Sequence, residues 1–285
     1  MKLIVDSGST KTDWCFAQSP STYVLIQTGG INPIVQSFNE ISVVVRDQMF
    51  SQVVQQRVDL EALDSVFFYG AGCTIKHCAI IEKVLRSVLG KSVSICVNSD
   101  LLAAARALCG THAGIACILG TGSNSCYFDG IVIEQHTPAL GYILGDEGSG
   151  AVLGRNFINA ILKGILPQTI RDEFFEEFRT SQTDIIDKVY NSPSPNRFLA
   201  SFSKFILPRI SNEQLEELVI RNFENFIVYN IKNYLKAEPT INAVGSVAFL
   251  YQKQLKQAAE KYGYSLGKIK KSPMEGLLEY HFANK

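Results

Sequence analysis

The chain has no net charge to offer a partner: 27 Lys and Arg balance 27 Asp and Glu across 285 residues. It therefore lacks the basic field that draws a protein to nucleic acid or an anionic membrane surface, and neither partner is expected. The small basic cluster at Lys268, Lys270 and Lys271 reads as a solvated loop. No apolar run reaches the roughly 18 residues that a membrane-spanning helix needs. Residues Leu3-Ile4-Val5 pass straight into a polar turn at Asp6, without the length or cleavage site of a secretion signal. The expected location is the cytoplasm. Cysteine is present but not in a useful pattern: seven residues, an odd number, with no Cys-x-x-Cys pair and no Cys/His array of metal-ligand spacing. Cys15, Cys96, Cys117 and Cys126 lie in apolar, strand-like contexts where a free thiol acts as a small core residue.

What the chain does have is length and apolar content, 46% hydrophobic, enough for two domains with cores of their own. It also has one local pattern used twice. Val5-Asp6-Ser7-Gly8-Ser9-Thr10-Lys11-Thr12 is the end of an apolar strand, a turn of Gly and hydroxyl residues, and the start of a second strand. Leu119-Gly120-Thr121-Gly122-Ser123-Asn124 repeats it, with Gly122-Ser123 where Gly8-Ser9 falls. A Gly and Ser/Thr turn lets backbone N–H groups approach an anion without Cβ interference, while the hydroxyls donate further hydrogen bonds. Two such turns suit a polyphosphate gripped from both sides, and point to an ATP-dependent phosphotransferase.

Around these turns the first half reads as β-β-β-α-β-α-β-α, with strands near residues 3–5, 14–17, 23–28, 66–69 and 93–97. Phe38, Ile41, Val44, Val45 and Met49 recur at helical spacing, as do Ile80, Ile81, Val84, Leu85 and Val88. The run from Leu101 to Leu108 is a strong helix former stopped at Gly110. The second half opens with the same hairpin and a third strand near residues 131–134, then carries a mainly helical insertion from about residue 148 to 235. There Leu215, Leu218, Val219, Phe223, Phe226, Ile227 and Ile231 form an apolar stripe read as core. A strand returns at residues 241–244 and ends in Gly245-Ser246.

Asp100 follows the strand at 93–97 and stands where a helix begins. Two readings are open from local sequence, a helix N-cap or a catalytic carboxylate. Asn32 precedes Pro33, a standard turn pair. Asp146 and Glu147 lie between Gly145 and Gly148, just ahead of a helix, where Glu147 reads either as a ligand of substrate or as the helix cap.

Four segments now stand in one order: Asp6-Ser7-Gly8-Ser9-Thr10-Lys11-Thr12, Gly120-Thr121-Gly122-Ser123, Gly145-Asp146-Glu147-Gly148-Ser149-Gly150 and Val244-Gly245-Ser246-Val247. Together they resemble the sugar-kinase, Hsp70 and actin superfamily, and within it the branch of N-acetylglucosamine kinase and the BadF/BadG/BcrA/BcrD-type ATPases. The resemblance runs nearly the whole chain. It implies an α/β, two-lobed actin-like ATPase fold of the ribonuclease H-like type, a duplicated βββαβαβα unit with a helical insertion in the second lobe. The lobes would be residues 1–108 and 109–285, with ATP between them. Gly8, Ser9, Thr10 and Lys11 would lie at the phosphates, with Asp6 facing Mg2+ through water. Gly120, Thr121, Gly122 and Ser123 would form the second phosphate loop, and Gly245 and Ser246 the adenosine element. Asp100 would be the general base, and Asn32, Asp146 and Glu147 would contact a sugar.

The implied activity is ATP- and Mg2+-dependent phosphorylation of an amino sugar, N-acetylglucosamine or a relative such as N-acetylmuramic acid, by an enzyme of a kind commonly dimeric. One departure bears on the sugar: Ala139-Leu140-Gly141-Tyr142 stands where animal N-acetylglucosamine kinases carry an aromatic on the acetamido group. Two rivals share the fold. One is the ATPase activator of an acyl-CoA reductase or dehydratase, whose iron–sulfur cysteine has no match at Ala116-Cys117-Ile118-Leu119; the other is a non-catalytic sugar sensor.

Overall fold

The structure, a computed structural model, describes residues 1–8, 10–90 and 93–283. It divides into two compact units, residues 1–111 together with the segment from Pro273, and residues 112–272.

The first unit is built on β1 (Lys2–Ser7), whose Leu3 and Val5 enter the core on one face of a sheet while Ile4 enters a second core on the other. A strand buried on both sides must be apolar at every position, which is why Leu3-Ile4-Val5 reads as an unbroken run. β2 (Lys11–Ser19) and β3 (Thr22–Gly29) add on one side as antiparallel neighbours. Next come α1 (Phe38–Val43), opened by a Ser37–Glu40 capping box, a π-helical segment over Val44–Met49, and α2 (Phe50–Gln55). The helix expected over residues 38–49 therefore continues to Gln55, with a wider turn in the middle. β4 (Ser65–Gly70), α3 (Cys78–Leu89), β5 (Ser94–Ser99) and α4 (Asp100–Cys109) follow. The sheet order is β3-β2-β1-β4-β5, with β4 and β5 parallel to β1.

The second unit repeats this topology. β6 (Gly114–Leu119), β7 (Ser123–Phe128) and β8 (Ile133–Thr137) are the antiparallel half. β8 starts later than expected because the Asp129 carboxylate accepts the N–H groups of Ile131 and Val132, both at 2.7 Å, and holds them in a turn. The insertion follows as α5 (Gly141–Leu144), α6 (Gly150–Leu162), α7 (Gln168–Phe178), α8 (Gln182–Asn191), α9 (Pro195–Ser201), α10 (Ser203–Ile206) and α11 (Glu213–Phe226). Its centre is aromatic: the Phe174 ring meets Phe157 at 5.5 Å and Phe205 at 5.4 Å, both edge to face. The stripe along α11 is buried core, as expected. β9 (Thr240–Val244), α12 (Ser246–Leu250), α13 (Gln252–Lys261), β10 (Ser265–Lys270) and α14 (Met274–Ala283) complete the chain. The order β8-β7-β6-β9-β10 matches the first sheet strand for strand, so the duplication seen in two turns extends to both units.

By position α14 closes the second repeat, and the sequence reading carried the second lobe to residue 285. By contact it groups with the first unit, because Met274, Leu277 and Leu278 fill the core of Ile4, Cys15, Tyr69, Ala103 and Ala107. Gly276 permits this: a Cβ there would stand 2.1 Å from the Ala107 carbonyl oxygen on α4. Among the described residues no helix is long and apolar enough to cross a membrane. Gly276→Ala should push α14 off α4 and cost about 1–3 kcal/mol by overpacking. Urea unfolding followed by circular dichroism measures this, and an unchanged midpoint would refute the close-packing account.

Candidate functional site

In the first unit the β1–β2 hairpin sets Asp6 directly opposite Asp13 across an antiparallel pair. The turn spans residues 8–11, closed by the Gly8 N–H donating to the Lys11 carbonyl at 2.9 Å. Ser9 lies outside the described residues. A Cβ on Gly8 would meet nothing closer than that carbonyl, at 3.8 Å, so the packing of the protein does not itself require glycine here. Thr10 and Lys11 are exposed. The Lys11 ammonium pairs with Asp13 at 2.7 Å, and Gln27 donates to the other Asp13 oxygen at 2.6 Å. Ser7 faces inward: its hydroxyl bonds Thr12 at 2.7 Å and both backbone groups of Ile31 at 3.1 Å, tying the turn to the segment that bears Asn32.

Asp100 is the first residue of α4 and Ser99 is its cap, accepting the Leu102 N–H at 3.3 Å. The cap role weighed for Asp100 thus belongs to its neighbour. The Asp100 carboxylate accepts the Leu101 N–H at 2.8 Å, and burial holds its pKa above the ordinary carboxylate value against the backbone N–H groups of Leu101 and Asp100 itself. Asp6 is pushed up to about 7, first by burial, then by the negative charges of Asp13 and Asp100, with Lys11 opposing. These carboxylates stand close enough to repel one another, with one ammonium among them, a donor set that a hydrated divalent cation would relieve. Among the described residues no three His, Cys, Asp or Glu side chains converge as direct ligands of a metal. Asn32 serves its turn, its Oδ1 accepting the Ile34 N–H at 3.0 Å, and lies against the Cα of Gly72.

In the second unit three glycine turns lock together. The β6–β7 turn spans residues 120–122, and its carbonyls at Gly120 and Thr121 accept the N–H groups of Gly150 and Ala151 at 2.8 and 3.1 Å. The first turn of α6 is therefore occupied by protein. Ser149 caps α6, accepting the Val152 N–H at 3.1 Å, which removes the cap reading of Glu147. The Glu147 carboxylate instead accepts from the Asn230 amide at 3.4 Å. Ser123 opens β7 and is buried, not part of the exposed turn. Its N–H donates to the carboxylate of Asp146, which takes a left-handed backbone at φ 55°. Burial, and to a lesser degree Glu147, push Asp146 up to about 6 against that hydrogen bond.

Each glycine has a separate reason. A Cβ on Gly122 would stand 3.0 Å from Asp146 Oδ2, and one on Gly245, at φ 123°, only 2.2 Å from the Leu119 carbonyl oxygen. Around Gly120 a Cβ would meet nothing within 4 Å. Ser246, beside Gly245 at the start of α12, is exposed.

The structure thus gathers Asp6, Gly8, Thr10, Lys11 and Asp100 in the first unit, and Gly120, Thr121, Gly122, Ser123, Asp146, Gly245 and Ser246 in the second. Sequence reading missed Asp13, although Lys11-Thr12-Asp13 places acid and base on the same face of a strand. It also missed Asn222, buried in α11, which accepts the Gly148 N–H and donates to the Ser149 carbonyl, both at 3.2 Å. No local pattern signals an asparagine that acts on residues so distant in the chain.

A search of solved structures returns a candidate N-acetylglucosamine kinase from Porphyromonas gingivalis, 46% identical over 100% of this chain and 99% of that one, with a TM-score of 0.95. The chain belongs to the N-acetylglucosamine kinase family. It is an ATP-dependent kinase on the actin-like ATPase fold. Two further structures share the fold: a candidate N-acetylglucosamine kinase from Chromobacterium violaceum, 15% identical over 98% of both chains with a TM-score of 0.74, and component A of (R)-2-hydroxyglutaryl-CoA dehydratase from Acidaminococcus fermentans, 12% identical over 99% of this chain and 96% of that one with a TM-score of 0.53. No protein-family model matches the sequence, and no curated protein does.

In this kinase the elevated pKa of Asp6 makes a stability prediction. The folded state holds that proton more tightly than the unfolded chain, so the stability it contributes is complete below the ordinary value of 3.8 and lost as pH rises through about 7. Asp6→Asn, neutral throughout, should melt at a higher temperature than the parent at pH 8, and the difference should vanish below pH 3.8. Thermal scans across pH test this, and equal melting at pH 8 would show that Asp6 is not destabilised by its surroundings.

Proposed function

We propose that this kinase transfers the γ-phosphoryl group of ATP to a hydroxyl of an amino sugar, N-acetylglucosamine or a relative such as N-acetylmuramic acid. The observation that carries the reading is Asp100, a half-buried carboxylate at the start of α4 that accepts the Leu101 N–H and has a pKa held above the usual range. A base whose pKa is raised toward neutrality is better matched to taking a proton at working pH. The sugar hydroxyl oxygen bonds to the γ-phosphorus, its proton passes to Asp100, and the bond from that phosphorus to the bridging oxygen of ADP breaks.

The remaining residues take roles in binding. Gly8, Ser9, Thr10 and Lys11 serve the phosphates from the first unit, and the open space around Gly8 supports this, since a Cβ there would fill a cradle that the fold leaves clear. Gly120 has the same openness and, with Thr121, Gly122 and Ser123, serves the phosphates from the second unit. Gly245 and Ser246 serve the adenosine. Mg2+, held through water by Asp6, would neutralise charge on the phosphates. Asn32, Asp146 and Glu147 serve the sugar, Asp146 through whatever carboxylate capacity remains beyond its bond to Ser123. The enzyme would act in the cytoplasm on a free sugar, as a homodimer.

The activator reading is disfavoured by Cys117, which is fully buried in β6 ahead of the second phosphate loop.

Two outcomes test the proposal. In a coupled ADP-release assay over hexoses, N-acetylhexosamines and N-acetylmuramic acid, an amino sugar should raise turnover above background. Asp100→Asn should lower kcat on that sugar by about 10²–10⁴-fold with ATP binding retained. A panel without response, or near-full activity of Asp100→Asn, would overturn the assignment. Gly122→Val should reduce turnover by a different route, displacing the Asp146 carboxylate that a Cβ would meet at 3.0 Å. Unchanged sugar kinetics in that variant would remove Asp146 from the site.

A further inference from the structure

At the far end of α4 from Asp100, the first unit has an open pocket of about 270 Å³ lined by Lys2, Phe67, Cys96, Arg106, Tyr280 and His281. Its two charged residues are both cations. No carboxylate is paired with either among the described residues, although ten other ion pairs form elsewhere. Arg106 donates through Nη1 to the Tyr69 hydroxyl at 2.7 Å and lies over the Tyr280 ring at 5.1 Å. Its Nε is buried with no acceptor. A buried guanidinium N–H left without an acceptor costs free energy, so the fold has reason to avoid one that no ligand satisfies.

The neighbours keep this positive charge in place. Tyr69 and His281 Nε2 lie 2.9 Å apart and share a hydrogen bond, so the phenol oxygen links Arg106 to the imidazole. The imidazole, stacked on Phe67 at 3.9 Å, is held neutral: burial first, then Arg106 and Lys2, push its pKa down to about 3. Lys2 donates to the His281 carbonyl and lies over the Phe282 ring at 4.7 Å. Two cations on aromatic walls, with no carboxylate paired to either, match a phosphate group, whose oxygens accept from guanidinium and ammonium donors.

We propose that Lys2 and Arg106 form a second ligand site in the first unit, which binds the phosphate group of a small phosphate monoester or of inorganic phosphate. The site lies apart from Asp6 and Asp100 but shares α4 with the latter: Arg106 is in the last turn and Asp100 in the first, six residues or about 9 Å along the axis. An anion that clamps α14 to the end of α4 is thereby placed to bias the position of Asp100. Inhibition or activation through this site would not compete with nucleotide.

Isothermal titration of inorganic phosphate, and separately of N-acetylglucosamine 6-phosphate, into protein saturated with ADP reads the binding directly and needs no turnover. At least one of the two should show binding that the Lys2 and Arg106 variants weaken, and which anion does so identifies the source of the phosphate, since a sugar phosphate held in the active site would be insensitive to them. Arg106→Gln and Lys2→Met should each raise its Kd by about tenfold or more, the loss of one charged hydrogen bond, while Asp100→Asn leaves it unchanged. If Arg106→Gln does not fold, Lys2→Met decides, since only the end of that side chain is altered. Absence of binding for both anions, or equal Kd in parent and Lys2→Met, would overturn the site. Failure of the kinase assignment would leave this readout intact.

Discussion

Crowded negative charge is the constraint on which the first unit depends. Asp6 at the end of β1, Asp13 opposite it on β2 and Asp100 at the start of α4 are drawn together, with the Lys11 ammonium beside them. Left to itself such a group would open, because burial and mutual repulsion both disfavour the charged forms. It is held by a sheet with a core on each face, Trp14, Phe16 and Phe68 on one and Tyr69, Ala103 and Leu277 on the other, and by the Ser7–Thr12–Ile31 hydrogen bonds beneath the turn. The strain is stored where chemistry would use it: a carboxylate that resists ionisation is a stronger base and a readier partner for a cation.

The second unit reaches its arrangement differently, through backbone contact more than charge. Its turns hold one another: α6 donates its first N–H groups into the β6–β7 turn, Ser123 donates to Asp146, and Gly245 lies against Leu119 and Gly120 with no room for a side chain. Asn222 fastens Gly148 and Ser149 from the inserted helices. The insertion is thus more than an appendage, since its buried amide accepts the Gly148 N–H of the Gly145–Gly150 turn and adds a second donor to the Ser149 carbonyl, which also accepts from Leu153 within α6.

The exchange of α14 connects topology to function in a third way. A helix that ends the second repeat fills the second core of the first unit, and its Tyr280 and His281 complete a cationic pocket whose other walls come from β1, β4, β5 and α4. The helix that begins with Asp100 therefore has a chemical handle at each end.

Much of this was open to reading in the chain alone. Two Gly and hydroxyl turns after apolar strands announced the duplicated sheet, and helical spacing in residues 38–49 and 215–231 found the helices, because periodicity and turn chemistry act over a few residues. Asp6, Asp100 and the glycines stood out as candidates for the same reason, each at the junction of two local patterns. What the sequence could not contain was the partner of each group. That Ser99 caps α4 while Asp100 stays available, that Gly122 makes way for Asp146 and Gly245 for Leu119, and that Arg106 meets Tyr69 and Tyr280 with its Nε left without an acceptor are consequences of segments far apart in the chain. Burial, repulsion and hydrogen-bond satisfaction depend on distance in space, and only the tertiary structure decides that distance.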